Sequence, residues 1–165
     1  MALLSYFGIN YGGESLVILR KPVAQLNQTT LARFVTRACR AAKLRGSVNV
    51  MVTSSQEIRS LNRRFRGKDK PTDVLSFTPM ADFADGLAGD VAISADIAGE
   101  NARALGHAPA EEIKILALHG VLHLAGYDHE KDDGEMVREE NRLRRLLGLS
   151  TGLIERSGKM SARQR

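Results

Sequence analysis

The spacing of apolar residues divides the chain into short strands and amphipathic helices. Runs of apolar and β-branched residues predict strands at 15–20, 47–53, 73–79 and 90–95. Apolar residues at intervals of three and four predict helices at 29–44, 55–65, 95–105, 109–125 and 133–148. Strands come early and are mixed with helices, whereas the last third of the chain is helical. This order predicts an α+β fold in which helices pack on a central sheet.

The residues that flank these segments support their boundaries. Thr29 or Thr30 is suited to cap the first helix, because a side-chain oxygen there can accept a hydrogen bond from the first turn. Ser54 followed by Glu57 forms a capping box before the second helix. Gly126 can end the fourth helix in a left-handed conformation, which glycine adopts without steric cost.

The length and composition indicate one soluble domain. Residues 1–150 are expected to form it, and the polar, mostly basic residues 151–165 are expected to be a disordered tail. The single cysteine, Cys39, cannot form a disulfide within the chain, which favours a reducing, cytoplasmic location. The N-terminus lacks the pattern of a signal peptide, and no apolar run approaches the length of a membrane span. A net charge of +5 permits a polyanionic partner.

Three of the four histidines lie in the segment HGVLHLAGYDH, residues 119–129. His119 and His123 are four residues apart in a predicted helix that is otherwise apolar, so they share one face of a buried element. After the turn at Gly126, His129 can approach both of them. Three imidazoles that converge in this way are the ligand set of a catalytic zinc site, with the fourth coordination position open to water or substrate.

The spacing H-x-x-x-H-x-x-G-x-x-H is that of the metzincin zinc proteases. Those enzymes place a glutamate directly after the first histidine, as the general base for the metal-bound water. Here that position is Gly120. The motif therefore predicts a hydrolytic metal centre that is not a conventional peptidase.

The alternative for the three histidines is that they are hydrogen-bonded core residues. Without a shared ligand, however, several buried ring nitrogens would need partners, so the metal site is favoured. Asp128 has two candidate roles, hydrogen bonding to a ligand imidazole or forming an Asx turn. His107 lies in a predicted loop before Pro109 and is expected at the surface.

A second feature is the basic segment between residues 59 and 70, which has six basic residues and one acid, Asp69. Such a segment can bind phosphates, although charge alone favours a solvated helix face. The motifs LNRRFRGKDKPTDVLSF, AGDVAIS and HGVLHLAGYDH occur in this order, and together they resemble the YbeY family of single-strand-specific, metal-dependent endoribonucleases, also called rRNA maturation factors. The resemblance covers roughly residues 45–150.

This resemblance implies an α+β fold with a mixed sheet and one zinc ion bound by His119, His123 and His129. It implies single-stranded RNA, ribosomal RNA and the small ribosomal subunit as partners, with roles in 16S rRNA 3′-end maturation and ribosome quality control. No membrane or DNA partner is expected. Phe65 stands where the family commonly has tyrosine, and SFTP stands where SFP is usual, so the shape of the cleft edge is expected to differ.

The resemblance also places the family's conserved arginine at Arg66. A guanidinium binds phosphate bidentately and stays protonated, so Arg66 is the candidate for neutralising transition-state charge. Zinc lowers the pKa of its bound water to about 7, and this water is a candidate nucleophile. The sequence leaves open whether that water or the RNA 2′-hydroxyl attacks, and whether Asp73 and Asp90 contribute or are structural. Three further residues are candidates to bind flanking phosphates: Arg63, Lys68 and Lys70.

Two other functions fit the sequence. A zinc metallopeptidase is supported by the ligand spacing and opposed by Gly120. A ribosome-associated binding module with a structural metal is the second alternative, but a structural zinc usually has four protein ligands. His107 would supply the fourth only if it folded over the site.

Overall fold

A computed structural model describes residues 14–79 and 86–150, so the predicted tail at 151–165 lies outside the described residues. They form four strands and five helices, close to the predicted positions. The strands are β1 (Val17–Leu19), β2 (Ser47–Thr53), β3 (Val74–Phe77) and β4 (Leu87–Ser94). The helices are α1 (Gln28–Ala41), α2 (Ser55–Arg66), α3 (Ala95–Leu105), α4 (Pro109–Leu124) and α5 (Glu135–Leu147).

The strands form one mixed sheet in the order β1-β2-β4-β3. β1, β2 and β4 are parallel, and β3 pairs antiparallel with β4 at the edge. The predicted α+β fold with a mixed sheet is therefore confirmed. Parallel neighbours need crossover connections, which α1 and α2 help to supply here.

Alternating side chains divide the core between the two faces of the sheet. Val50 and Val52 of β2 contribute to the larger cluster, which includes residues of α1, α4 and α5. Met51 points to the opposite face, where Ile58 and Leu61 of α2 cover it. The sheet thus has α1 and α4 on one side and α2 on the other.

Helix α4 is buried along most of its length, as its apolar composition predicts. From residue 112 to 122, every residue except Lys114 is buried. No helix in the described part of the chain is long and apolar enough to span a membrane. The burial of α4 places its C-terminal histidines at the margin of the core.

Gly120 allows α4 to pack closely against the sheet. A Cβ atom at this position would lie 2.7 Å from Cγ1 of Val91 on β4 and 3.1 Å from Oγ of Ser76 on β3. Ser76 Oγ also donates a hydrogen bond to the Gly120 carbonyl oxygen, at 3.2 Å. The absence of a side chain therefore fixes the distance between α4 and the sheet.

The predicted cap of α1 is wrong, whereas that of α2 is confirmed. Asn27 caps α1, because its Oδ1 accepts a hydrogen bond from the Thr30 backbone nitrogen at 2.9 Å. Thr29 and Thr30 lie inside the first turn, so neither is positioned as the cap. Ser54 Oγ accepts from the Glu57 nitrogen at 3.2 Å, as the capping box predicts.

We expect Gly120→Ala to lower the free energy of unfolding and Gly99→Ala to raise it. Both glycines lie in helices, and alanine favours a helix over glycine by about 1 kcal/mol. At Gly99 an added Cβ meets nothing within 4 Å, so this gain is realised. At Gly120 the Cβ overlaps the stiff Val91 side chain, and overpacking should produce a net loss of about 1–2 kcal/mol. Urea denaturation of both variants measures the difference, and equal stabilisation would contradict the packing argument.

Candidate metal centre

The structure brings the three predicted histidines together at the C-terminal end of α4. One ligand atom from each lies within 4.8 Å of the others. The Nε2 atoms of His119 and His123 are 3.1 Å apart, and the His129 ring centroid lies 5.5 and 5.4 Å from the other two. His119 is buried, His123 half-buried and His129 exposed, so the group opens to solvent on one side.

Two of the rings are oriented through their second nitrogen. His119 Nδ1 lies 3.0 Å from Glu140 Oε2, and His123 Nδ1 lies 3.0 Å from the Tyr127 carbonyl oxygen. A carboxylate and a carbonyl accept hydrogen bonds, so each Nδ1 carries the proton and each Nε2 offers its lone pair. Histidine ligands of metals are usually held in this way.

Glu140 was not predicted from the sequence. It is 1% exposed, and its Oε1 lies 3.5 Å from Nη1 of Arg144, which is 2% exposed. Charged residues are rarely buried this fully unless they are paired. The sequence contained a signal, because Glu140 falls between Met136 and Leu143 on the buried stripe of α5.

The surroundings of His123 favour its neutral form. Burial, and after it the charges of the neighbouring His119 and His129, lower the pKa of His123 to about 4. His123 is therefore neutral at pH 7, which is the form that binds a metal. The group thus offers nitrogen ligands with free lone pairs, and His123 is neutral. These properties fit a divalent metal such as zinc.

A cleft of about 580 Å³ opens over the histidines. From the three histidines, the cleft extends to β3 at the edge of the sheet and to the C-terminal end of α2. Its lining residues are Arg66, Thr72, Asp73, Val74, Ser76, Thr78, His119, His123, Leu124, Asp128, His129 and Glu130. The cleft therefore joins the three histidines to Arg66, which the sequence resemblance proposed as the phosphate ligand.

Arg66 is held at the cleft by the edge strand. Its Nη2 donates to the Ser76 carbonyl oxygen at 2.9 Å, and its guanidinium carbon lies 5.9 Å from the centroid of the Phe77 ring. A guanidinium has five N–H donors, so most remain available after this one bond. Ser76 thus contacts Arg66 through its carbonyl and α4 through its side chain.

Several predicted residues lie outside the cleft lining. Arg63, Lys68 and Lys70 are exposed at the end of α2 and in the turn that follows it. Asp90 is buried in the sheet, where its Oδ1 accepts from Asn49 Nδ2 at 3.0 Å. Burial raises the pKa of Asp90 to about 6, although the Asn49 hydrogen bond opposes the shift. Its contacts are those of a structural residue.

Asp128 lines the cleft and forms an Asx turn. Its Oδ1 accepts from the Glu130 backbone nitrogen at 3.1 Å, and its Oδ2 lies 3.3 Å from Lys131 Nζ. Of its two candidate roles, these contacts match the turn. The imidazoles of His119 and His123 donate instead to Glu140 and to the Tyr127 carbonyl oxygen.

The prediction that His107 is a surface residue is wrong. Its side chain is 9% exposed, and Nε2 lies 2.5 Å from Oε2 of Glu112, which is fully buried. A buried carboxylate needs such a partner, and this requirement draws His107 onto the first turn of α4. Glu112 precedes His119 by seven residues, about 10 Å along a helix, so His107 is not a fourth ligand.

The structure also explains why glycine occupies the position of the peptidase base. A side chain at residue 120 would meet Val91 and Ser76, inside the contact between α4 and the sheet. A glutamate placed there would be packed against the sheet. The site therefore has the histidine spacing of a metzincin motif without room for its base.

We expect Glu140→Gln to weaken metal binding about 10- to 100-fold, because groups that orient metal-bound histidines typically contribute this much. The neighbouring Glu139→Gln is the matched control, since Glu139 pairs with Arg142 on the exposed side of α5. Competition with a chromophoric chelator measures zinc affinity directly. Equal affinities for the two variants would contradict the role assigned to Glu140.

The chain resembles known proteins over most of its length. A sequence model of the YbeY family, described as endoribonuclease YbeY, matches residues 17–148. Endoribonuclease YbeY of Koribacter versatilis is 57% identical over 144 residues, which cover 87% of this chain and 93% of the relative. That of Solibacter usitatus is 46% identical over 144 residues, covering 87% and 95%. The solution structure of TM1509 from Thermotoga maritima has a TM-score of 0.51 and 32% identity, covering 78% of this chain and 85% of that one. On this similarity, which spans both the fold and the histidine motif, the chain belongs to the YbeY family.

Proposed function

We propose that this protein is a metal-dependent endoribonuclease that hydrolyses phosphodiesters of single-stranded RNA. The observation that carries the proposal is that three convergent imidazoles and Arg66 line one cleft. The family to which the chain belongs is described by the same activity. A metal ion and a second cation can both stabilise charge on phosphoryl oxygens, and this cleft offers a site for the one and Arg66 for the other.

In the proposed site, His119, His123 and His129 hold one zinc ion. Three nitrogen ligands with an open fourth position are typical of catalytic zinc, whereas structural zinc usually has four protein ligands. When bound, zinc would polarise the phosphate and lower the pKa of water to about 7. Glu140 and the Tyr127 carbonyl keep two of the Nε2 atoms directed at the metal position.

Arg66 stabilises the charge that develops on the phosphoryl oxygens. The Ser76 carbonyl holds its guanidinium before substrate binds, so little reorganisation is needed during the reaction. Arg63, Lys68 and Lys70 bind phosphates beyond the cleft. Their positions on both sides of Arg66 in the sequence would extend contact along the RNA strand, and such contacts add affinity without selecting sequence.

The physiological substrate that we propose is the 3′ end of 16S rRNA, with further action in ribosome quality control at the small subunit in the cytoplasm. A single strand would present its phosphates to the cleft between β3 and the histidine turn without a second strand to accommodate. The family membership and the excess of basic residues support this assignment.

The alternative functions are less well supported by the site. A metallopeptidase requires a general base next to the first histidine, and the space at Gly120 is taken by Val91 and Ser76. A structural-metal module requires a fourth ligand. Among residues 14–79 and 86–150, the group with metal-ligand spacing contains three histidines and no further member.

We expect Arg66→Ala to reduce cleavage of single-stranded RNA about 100- to 1,000-fold, as for other groups that stabilise transition-state charge. Arg64→Ala is the control, because Arg64 is exposed over the Phe65 ring and does not line the cleft. Zinc content and thermal stability should be the same in both variants. Equal cleavage rates for them would exclude Arg66 from the reaction.

We expect His123→Ala to abolish both zinc retention and RNA cleavage, because it removes the middle ligand of the three. Elemental analysis of the purified protein and cleavage of a 16S rRNA 3′-end fragment measure the two losses. A peptide substrate serves as the test of the peptidase alternative. Cleavage that persists in the zinc-free variant would contradict the metal-dependent mechanism.

A further inference from the structure

A second basic surface lies on α1, away from the metal centre. Residues 15–56 contain no aspartate or glutamate, although the whole chain has 19 acidic residues. The same segment contains seven basic residues, which are Arg20, Lys21, Arg33, Arg37, Arg40, Lys43 and Arg45. One continuous segment, about a quarter of the sequence, therefore carries positive charge without any acidic residue.

Two of these cations form ion pairs within the fold, and three others form an exposed row on α1. Arg20 pairs with Glu57 and Lys21 with Asp96. Arg33, Arg37 and Arg40 are all exposed on α1, at intervals of four and three residues, so they share one face of the helix. We call these three residues the α1 arginine row.

The fold does not explain the α1 arginine row. Like charges at these spacings destabilise a helix, and of the three only Arg40, in the last turn of α1, lies where the helix dipole favours a cation. In the ranges 14–79 and 86–150, the ion pairs found involve none of the three arginines. The arginines are therefore available to bind an external anion.

The surface beside the row is concave and also basic. A hollow of about 450 Å³ between α1 and α4 is lined by Arg33, Arg37 and Lys114, together with Glu111. The carboxylate of Glu111 already accepts hydrogen bonds from the nitrogen and Oγ of Ser150, at 2.9 and 2.5 Å. The positive charge of the hollow is thus only partly offset by its one acidic residue.

We propose that the α1 arginine row binds the phosphate backbone of a structured RNA outside the catalytic cleft. The inference rests on the proposed ribonuclease function. Guanidinium groups match phosphate oxygens bidentately, and a row of three along a helix suits a polyanion better than a single small anion. The row contacts RNA that flanks the strand being cleaved.

The position of the row determines what kind of RNA can reach it. α1 packs over β1 and β2, whereas the cleft lies at β3, the opposite edge of the sheet. Three inter-strand spacings of about 4.8 Å separate the two edges by about 14 Å. A strand of up to about four nucleotides, at about 3.4 Å each, does not span this distance from the cleft to α1, but a strand continuing into a folded helix does.

The test compares Arg33→Gln/Arg37→Gln with the control Arg103→Gln/Arg138→Gln. Both double variants remove two exposed positive charges, the control pair from α3 and α5. Two RNAs are used, a short single strand and the same strand extended into a hairpin. For each, the slope of log affinity against log salt concentration counts the phosphate contacts.

On the hairpin RNA, we expect the slope of log affinity against log salt concentration to be smaller for the Arg33→Gln/Arg37→Gln variant than for wild type. The difference should be about 1.4–1.8, since each phosphate contact contributes about 0.7–0.9. The control should keep the wild-type slope, and the short strand should bind all three proteins alike. Equal slopes for both variants on the hairpin would overturn the proposal, and so would an equal loss on both RNAs. If wild-type protein neither binds nor cleaves either RNA, the proposed ribonuclease function fails as well. Cleavage of the short strand with unchanged hairpin slopes would refute only the α1 contact.

Discussion

The close packing of α4 on the sheet at Gly120 is the contact on which the rest of the site depends. With no side chain at this residue, the helix approaches Val91 and accepts a hydrogen bond from Ser76. The Ser76 carbonyl in turn receives the Arg66 guanidinium. One residue of the edge strand therefore links the helix that bears two histidines to the arginine on the opposite face of the sheet. A larger residue at 120 would move α4 from the sheet and separate these groups.

Burial imposes a second constraint, because polar groups removed from water require partners. His119 lies at the margin of the core and is paired with Glu140, which is itself paired with Arg144. At the other end of α4, Glu112 is fully buried beside His107. A buried helix with polar residues at both ends is thus held by histidine–glutamate contacts from α5 and from the loop before α4. The pair at the C-terminal end also orients a metal ligand, so one contact contributes to both stability and chemistry.

The spacing of apolar residues predicted the elements and the fold class, because each helix and strand must present apolar side chains to the core. β2 and α3 have their predicted bounds, and α4 is buried as its apolar run indicates. The histidine spacing also predicted their convergence, since the helix and the glycine turn determine it locally. The partners of the histidines could not be predicted in the same way. Glu140 is 21 residues from His119, and only the packing of α5 on α4 brings them together. The burial of His107 could not be predicted either, because only tertiary packing buries its partner, Glu112, in the first turn of α4.

The arginines differ in whether a carboxylate of the fold neutralises their charge. Arg59 and Arg142 each pair with a nearby carboxylate on the surface, where such pairs contribute little stability. Arg144 is buried and paired, and its removal would leave Glu140 as an uncompensated charge in the core. Arg66 belongs to neither group, because it is exposed and bound to a carbonyl that adds no negative charge. Its full positive charge therefore remains directed at the cleft. A protein whose net charge is +5 could place that excess anywhere on its surface, and here part of it faces the same opening as three imidazoles. This combination favours an anionic substrate that also ligates a metal, which is the chemical description of a phosphodiester.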